Sequence, residues 1–315
     1  MNYAPWNRVL ITGGAGAIGS NLSNALSDAG CTVTVLDDLS SGSTGLLNEE
    51  INFIHGSVCR DQDLENAFSS SPDVVFHLAA LFANQNSVEH PRKDIDVNGL
   101  GTIKVLEFAK KNHIKKLLYT SSSCIYGSNP DMRENNYIGC TDTPYAITKL
   151  LGEQYCRFWS RHHNLDTVIV RLFNSYGPGE FPGPYRNVIP NFFSLALQGE
   201  PLPITGSGDE IRDFNFVDDT VNGIISAMSS TTLPGDVYNL ASGIGTRISD
   251  LACMINEITG NRAGIRFVPR RTWDSITTRI GCIEKARKEI AYKPSCNLTR
   301  GLSRTHEWFK LHGIK

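Results

Sequence analysis

A glycine-rich stretch near the N-terminus constrains the fold of this chain more than any other feature. Residues 12–19 run T-G-G-A-G-A-I-G, after an apolar run at 9–11 and before an amphipathic run at 20–29. The pattern predicts a buried parallel strand that turns sharply into a helix. Glycines at such a turn let backbone N–H groups and the positive end of the helix approach a pyrophosphate closely. The stretch is therefore typical of a dinucleotide-binding fold, although a glycine-rich turn can also simply end a strand.

An acidic residue further along decides between those two interpretations. A second predicted strand, at 32–36, ends in Asp37, 18 residues after Gly19. Dinucleotide folds carry an acid at about this distance, where it accepts hydrogen bonds from the adenosine ribose. Because a carboxylate would repel a 2′-phosphate, Asp37 also favours NAD over NADP as the cofactor.

Strands and helices alternate through the first half of the chain, with short connections between them. We predict strands at 116–120 and 167–171 and long helices at 97–112 and 145–163. Strict alternation of this kind predicts an α/β fold with a doubly wound, parallel Rossmann sheet, which we assign to residues 1–172.

The second half of the chain lacks the regular alternation of strands and helices. Residues 177–184 hold too much proline and glycine for a helix or a central strand. A helix at 188–198 and mixed short elements follow, and 237–240 is predicted as one more strand of the main sheet. We therefore predict a smaller, mixed α/β substrate domain at 173–315, of which about 211–242 returns to the Rossmann domain. It would cover the carboxyl edge of the sheet, where such folds bind ligands.

Composition excludes several classes of function. The net charge of −2 gives no electrostatic case for binding nucleic acid or an anionic membrane. No apolar stretch approaches the ~18 residues that span a bilayer, and the N-terminus lacks the basic and apolar regions of a signal peptide. We therefore expect a cytoplasmic protein. The cysteines and histidines show no ligand spacing, so we predict no metal.

A second group of residues carries the chemistry. The predicted strand at 116–120 delivers Ser121 and Ser122 to the carboxyl edge, and Tyr145 and Lys149 follow one helical turn apart, on one helix face. A phenol with a pKa near 10 is a poor base, but a neighbouring ammonium and a nicotinamide ring would both lower that pKa. A Tyr–Lys pair at this spacing also occurs on exposed helices. Its place after a serine-rich strand end, in a dinucleotide fold, favours removal of a proton from an alcohol whose carbon gives hydride to NAD.

The motifs together resemble one family over nearly the whole chain. T-G-G-x-G-x-x-G at 12–19, H-x-A-A at 77–80 and Y-x-x-x-K at 145–149 are joined by R-x-x-N-x-Y-G-P at 171–178 and R-D-[FY] at 212–214. They resemble the extended short-chain dehydrogenase/reductases of the nucleotide-sugar epimerase/dehydratase family. The chain is UDP-glucose 4-epimerase-like and is similar to the epimerases encoded in bacterial O-antigen and other surface-polysaccharide loci.

The resemblance implies a set of residues that bind NAD. They are Gly13, Gly16, Ala17, Ile18, Gly19, Asp37, Ser57, Val58, Leu78, Ala79, Ala80, Asn98, Ser121, Tyr145 and Lys149. Ser57 stands where the family has an acid that contacts adenine, and a hydroxyl can still bond the adenine amine.

The resemblance also implies a nucleotide-diphosphate sugar as substrate. The expected substrate-binding residues are Phe82, Ser122, Asn174, Arg212, Arg271 and Asp274. Asn174 and the two arginines would hold the diphosphate, for which charge-assisted bidentate bonds are well suited. Relatives pair the two long helices across a two-fold axis, so the resemblance implies a homodimer.

The residues after the catalytic serine separate the reactions of this family. Dehydratases carry an Asp–Glu pair there and decarboxylases a Glu, whereas this chain has Ser123 and Cys124. The resemblance therefore implies 4-epimerisation, with Ser122, Tyr145 and Lys149 as catalytic residues and NAD regenerated in each turnover. Cys124 is either a small filler beside the nicotinamide or a further catalytic acid/base, as in 3,5-epimerases, where a thiolate could do this work. A 3,5-epimerase, a dehydratase that uses Cys124 and a non-catalytic NAD-binding scaffold remain the alternatives.

Overall fold

The computed structural model describes residues 6–136, 141–271 and 276–314. The strands are β1 (Arg8–Thr12), β2 (Thr32–Asp37), β3 (Asn52–His55), β4 (Val74–His77), β5 (Lys116–Ser122), β6 (Asp166–Leu172), β7 (Ser175–Tyr176), β8 (Leu202–Thr205), β9 (Ile211–Asp213), β10 (Asn215–Phe216), β11 (Asp236–Leu240), β12 (Gly245–Arg247), β13 (Ile265–Val268) and β14 (Thr278–Arg279). The α-helices are α1 (Ala17–Asp28), α2 (Asp61–Phe68), α3 (Asn84–Glu89), α4 (Pro91–Asp94), α5 (Thr102–Lys111), α6 (Pro144–His163), α7 (Val188–Leu197), α8 (Val217–Ser229), α9 (Ile248–Thr259), α10 (Glu284–Ile290) and α11 (Leu298–Leu311).

The predicted doubly wound parallel sheet is confirmed. In the described residues its strand order is β11-β6-β5-β4-β1-β2-β3, and every neighbouring pair is parallel. The order reverses at β1, so the glycine-rich turn after β1 lies at the switch point where such sheets bind ligands. The returning strand is also confirmed, since β11 pairs with β6 through Val237 and Ile169.

Two apolar clusters cover the two faces of the sheet. Neighbouring residues of β1 point to opposite sides, so Ile11 belongs to one cluster and Leu10 to the other. Helices cover both faces, and the strands are therefore apolar along most of their length. The cluster that contains Ile11 also includes Phe193 and Leu251, so apolar packing is continuous across the boundary predicted between residues 172 and 173. The division into two domains stays a prediction.

The helix predicted at 97–112 differs from the observed one. The chain enters helix at α4, passes through a wider π-helical segment (Ile95–Gly101) and continues as α5. Gly99 and Gly101 lie in this segment, where glycine weakens an ordinary α-helix. Wider turns of this kind are frequent at functional sites, and the Asn98 side chain in this segment hydrogen-bonds Leu81, just after β4.

The smaller elements lie over the carboxyl edge. β8 pairs with β13, β9 lies between β12 and β14, and β7 pairs with β10. No helix in the described part of the chain is both long and apolar enough to cross a bilayer. Within the same ranges, no group of three or more His, Cys, Asp or Glu side chains could hold a metal ion.

Candidate active site

A large cavity lies at the carboxyl edge of the sheet, with a volume of about 690 Å³. Its walls combine residues from the two predicted motif groups, the glycine-rich turn and the serine–tyrosine–lysine set. The predicted site residues that line it are Gly13, Gly16, Ala17, Ile18, Gly19, Asp37, Ser57, Val58, Leu78, Ala79, Ala80, Phe82, Ser121, Ser122, Cys124, Tyr145, Lys149, Asn174, Arg212 and Arg271. Asp274 lies outside the described residues.

The glycine-rich turn needs glycine for steric reasons. A Cβ on Gly19 would lie 2.0 Å from the carbonyl oxygen of Gly13, and Gly13 itself has a φ of +72°. Asp37 secures the turn, because its carboxylate accepts the Ala15 N–H at 3.0 Å and the Leu39 N–H at 2.8 Å. The backbone cradle, with this acid at its side, fits the pyrophosphate and ribose of NAD.

The neighbouring strand ends also fit a dinucleotide. Ser121 lines the cavity, and its hydroxyl is buried without a hydrogen-bond partner among the described residues, which leaves it for a ligand. His77 holds the ends of β1 and β4 together through Thr12 (2.7 Å) and also bonds Thr102 (3.0 Å). Burial lowers the pKa of His77 to about 3, so the ring is neutral and acts as a structural link.

Asn98, one of the expected cofactor contacts, has protein partners behind the cavity wall, and its contact with NAD stays a prediction. It accepts the Leu81 N–H at 2.8 Å and donates to the Leu81 carbonyl at 3.2 Å and to Asp94 at 2.8 Å. Asp94 in turn accepts the Thr148 hydroxyl at 2.7 Å. Asn98 and Asp94 thus position the wall and helix α6, and Asp94 is a buried acid that the sequence motifs did not indicate.

Tyr145 is held in place at the start of α6. Thr143 caps the helix by accepting the Ala146 N–H at 3.3 Å, and Pro144 occupies the first helical position. The Tyr145 N–H donates to the Ser87 hydroxyl at 3.0 Å. The Tyr145 side chain is buried at the cavity wall, which Ser122 also lines, so the two predicted catalytic groups face one cavity.

Lys149 follows one turn later and points to the same region. Its ammonium donates to the carbonyl of Thr120 at 2.9 Å and lies 5.8 Å from the centre of the Tyr145 ring. Burial lowers the pKa of Lys149 to about 8, although nearby Asp94 opposes this shift.

The sequence predicted that Lys149 would lower the pKa of the Tyr145 phenol, and for the protein without NAD this is wrong. Burial raises the pKa of the phenol, the nearby Cys124 and Asp94 raise it further, and only the hydrogen bond with Ser122 lowers it. The reason is that the Lys149 ammonium is directed at a backbone carbonyl and is itself desolvated. A phenolate near neutral pH therefore requires the additional positive charge of a nicotinamide ring.

Cys124 lies in a polar setting. Its N–H donates to the Ser122 hydroxyl at 3.1 Å, and its sulfur accepts from Asn84 Nδ2 and from Arg279 Nη1, both at 3.4 Å. These donors argue against a purely apolar filler. Arg279 was not predicted from the sequence, since it belongs to no motif and reaches the site only through the pairing of β14 with β9.

The substrate side of the cavity holds the remaining predicted residues. The Phe82 ring packs edge-on against Tyr145, with 6.0 Å between ring centres. Asn174 donates to the carbonyl of Asp213 at 2.9 Å, and Arg212 donates to the carbonyl of Ile276 at 2.9 Å. These side chains and Arg271 share the cavity wall, and their role as a diphosphate site stays a prediction.

Comparisons with known proteins agree with this geometry. The model of the NAD dependent epimerase/dehydratase family matches residues 9–241. A solved epimerase from Methanothermobacter thermautotrophicus, Mth375, is 44% identical with a TM-score of 0.95, over 99% of this chain and 95% of that one. A UDP-glucose 4-epimerase from Thermotoga maritima, solved with UDP-glucose, is 33% identical with a TM-score of 0.92, over 97% and 99% of the chains.

A curated relative has a different reaction. The UDP-N-acetyl-alpha-D-glucosaminuronate decarboxylase of Bacillus cytotoxicus is 33% identical over 317 residues, which cover 96% of this chain and 98% of that one. Family membership is thus compatible with more than one reaction on a nucleotide sugar. With the fold, the site geometry and the whole-length similarity in agreement, the chain belongs to the NAD-dependent epimerase/dehydratase family of enzymes.

Proposed function

We propose that this protein is an NAD-dependent UDP-sugar 4-epimerase. The observation that carries the proposal is that Ser122, Tyr145 and, one turn away, Lys149 line the same cavity as the glycine-rich turn. The relatives solved as epimerases, one of them with UDP-glucose, support UDP as the nucleotide. The resemblance to surface-polysaccharide epimerases suggests that the product serves polysaccharide synthesis in the cytoplasm, and this part stays a prediction.

Each residue of the set has a separate task. Tyr145 removes the proton from the C4 hydroxyl and later returns it, and Ser122, at the same cavity wall, shares that proton. Lys149, whose ammonium donates to the carbonyl of Thr120, would orient the nicotinamide ribose, and the positive nicotinamide ring would favour the phenolate. When bound, NAD would supply the reversible hydride chemistry at C4. The backbone of the glycine-rich turn, Asp37 and Ser121 would hold the cofactor.

Epimerisation fits the wall after Ser122 better than elimination does. Ser123 and Cys124 offer no carboxylate, and Cys124 is surrounded by the donors of Asn84 and Arg279. Expulsion of a hydroxyl or loss of an acidic proton at carbon needs a placed acid/base. The thiol of Cys124 is the candidate for that role in the alternative 3,5-epimerase or dehydratase.

Replacement of Tyr145 tests the function directly. Tyr145→Phe should lower turnover of UDP-sugars by about a thousandfold while NAD stays bound, because only the proton-transfer group is lost. Tyr155→Phe is the matched control, since Tyr155 lies on the same helix and packs against Trp159 away from the cavity. Inversion at C4 is followed by NMR on a panel of UDP-sugars. Near-normal turnover of Tyr145→Phe contradicts the proposal, and no turnover by the unaltered protein favours a scaffold.

Deuterated water separates the two kinds of chemistry. Hydride that leaves and returns through NAD carries no solvent deuterium into the sugar skeleton. Proton abstraction from carbon by Cys124 would introduce it. We therefore expect mass spectra without carbon-bound deuterium, and its appearance would favour the alternative.

We also propose a homodimer formed by the helices that the resemblance implies. Val88, Ile95, Leu100, Ile147 and Phe158 are five of the nine exposed large apolar side chains in the described part of the chain. They lie on α3, α6 and the π-helical segment, and α6 contacts the other two elements. An exposed apolar patch of this kind supports a protein–protein interface.

Sedimentation tests this interface. Ile147→Glu places a charge on a side chain that is 54% exposed and should convert a dimer to a monomer. Leu311→Glu, at an 84% exposed position on α11, is the control and should leave the mass unchanged. A monomeric unaltered protein contradicts the proposal.

A further inference from the structure

Arg279 is a buried cation at the cavity wall. It lies on β14, is only 9% exposed and lines the cavity. Its Nε is buried without a hydrogen-bond partner, and its Nη1 donates to the sulfur of Cys124 at 3.4 Å. A thiol sulfur is a weak acceptor, so the hydrogen-bonding capacity of the Arg279 guanidinium is poorly satisfied by the protein.

Arg171, another buried arginine of this chain, has an acidic partner. Arg171 is fully buried and makes a two-point contact with Glu153, at 2.9 and 2.8 Å, with Tyr126 as a further partner. No acid of the described residues forms an ion pair with Arg279. Because arginine stays protonated, a buried guanidinium without a counter-charge is costly, and its retention at a cavity indicates an anion that arrives with the ligand.

The position of Arg279 identifies which part of the ligand carries that anion. Cys124, which Arg279 contacts, donates its N–H to the Ser122 hydroxyl at 3.1 Å, and Tyr145 lines the same cavity. Arg279 is thus two contacts away from Ser122, one member of the proposed proton-transfer pair. Arg212, its in-register neighbour on β9, instead turns its guanidinium to backbone carbonyls of residues 276 and 277.

We propose that Arg279 binds a carboxylate on the sugar ring, so that the substrate is a UDP-uronic acid rather than a neutral UDP-hexose. The inference rests on the proposed function and specifies its substrate class. In a uronic acid the carboxylate is attached to C5, next to the C4 whose hydroxyl reacts. This neighbouring position matches a guanidinium beside Cys124, close to Ser122 and Tyr145.

Asn84 supplies a second donor for the same group. Its Oδ1 accepts the Thr143 hydroxyl at 2.8 Å, which directs the Nδ2 to the sulfur of Cys124. The guanidinium and this amide converge on one point of the wall. Two donor groups of this kind suit the two oxygens of a carboxylate.

Two matched ligands test the inference. UDP-glucuronic acid and UDP-glucose differ only at C6, which is a carboxylate in one and a hydroxymethyl group in the other. Dissociation constants are measured by calorimetry on NAD-loaded protein, a measurement that does not depend on turnover. We expect the unaltered protein to bind UDP-glucuronic acid about a hundredfold more tightly, the scale of a charge-assisted contact in a desolvated site.

Variants of Arg279 assign the preference to its side chain. Arg279→Met should reduce the ratio of the two dissociation constants from about a hundred to near one, and Arg279→Lys should keep part of it. Arg266→Met is the control, because that side chain is exposed and outside the cavity, and the ratio should not change. Circular dichroism and retained NAD show that each variant is folded.

Several outcomes would overturn the inference. The unaltered protein could bind the two ligands equally, which decides the matter even if Arg279→Met fails to fold. Arg279→Met could instead weaken UDP-glucuronic acid, UDP-glucose and UDP by the same factor, which would show that Arg279 serves the diphosphate. Because these measurements need no turnover, their failure is distinct from failure of the Tyr145→Phe test.

Discussion

The titration of Lys149 makes the stability of this protein depend on pH in a predictable way. Its side chain is 2% exposed, and burial lowers its pKa from the ordinary value of 10.5 to about 8. Between these values the unfolded chain holds a proton that the folded chain has released. The free energy of unfolding therefore rises with pH across this window, and the penalty for burying the ammonium is fully present below pH 8.

The size of the effect follows from the two pKa values. The gap between them corresponds to about 3 kcal/mol, of which about 2 to 3 kcal/mol is gained between pH 7 and pH 10. Lys149→Met removes the titrating group, while the other ionisable groups stay in both proteins. Relative to this variant, the unaltered protein should gain that amount of stability over the same range.

Denaturant unfolding at pH 7, 8, 9 and 10, with NAD removed, measures this difference. Lys111→Met is the matched control, because the Lys111 side chain is 68% exposed and its replacement should give a difference that does not change with pH. A difference between Lys149→Met and the unaltered protein that stays flat from pH 7 to pH 10 would refute the reasoning. It would mean that the ammonium keeps its ordinary pKa within the fold.

Three further changes have expected outcomes. Gly19→Ala should prevent stable folding and NAD retention, because its Cβ would lie 2.0 Å from a backbone oxygen of the turn, whereas Gly16→Ala, with 3.4 Å to that oxygen, should melt near the unaltered protein. Arg171→Met should lower the free energy of unfolding by about 3 to 5 kcal/mol, because it strands a buried carboxylate, and adding Glu153→Gln should restore part of the loss in the same denaturant titration. Asp37→Asn should reduce the preference for NAD over NADP by about tenfold or more in fluorescence titrations, since the repulsion of a 2′-phosphate is lost.

The sequence predicted best those features that depend on neighbouring residues. The glycine-rich turn, Asp37 and the Tyr145–Lys149 pair each lie at the end of one strand or on one helix face, and strand ends in a parallel sheet meet at one edge. Their convergence at one cavity therefore follows from local patterns together with the alternation of strands and helices. The spacing of apolar residues also sufficed to assign β11 to the main sheet.

Features that arise from packing between distant segments were missed. In the π-helical segment, Asn98 hydrogen-bonds Leu81 and Asp94. No periodicity in the sequence specifies these hydrogen bonds. The predicted lowering of the Tyr145 pKa was also wrong for the protein without NAD, where burial raises that pKa. Helical spacing shows that Lys149 is near, but it does not show that Lys149 donates to Thr120 and is desolvated.

Arg279 shows why the sugar end of the site is the hardest part to predict. Cys124 and Arg279 are 155 residues apart, and their contact depends on a two-residue strand, β14, that lies outside the main sheet. The proton-transfer residues belong to β5 and α6, which pack into the central core. A residue on a peripheral strand can change with a smaller effect on that core. Differences in sugar specificity within such a fold should therefore concentrate on β14 and the wall that faces it, while the hydride-transfer end stays the same.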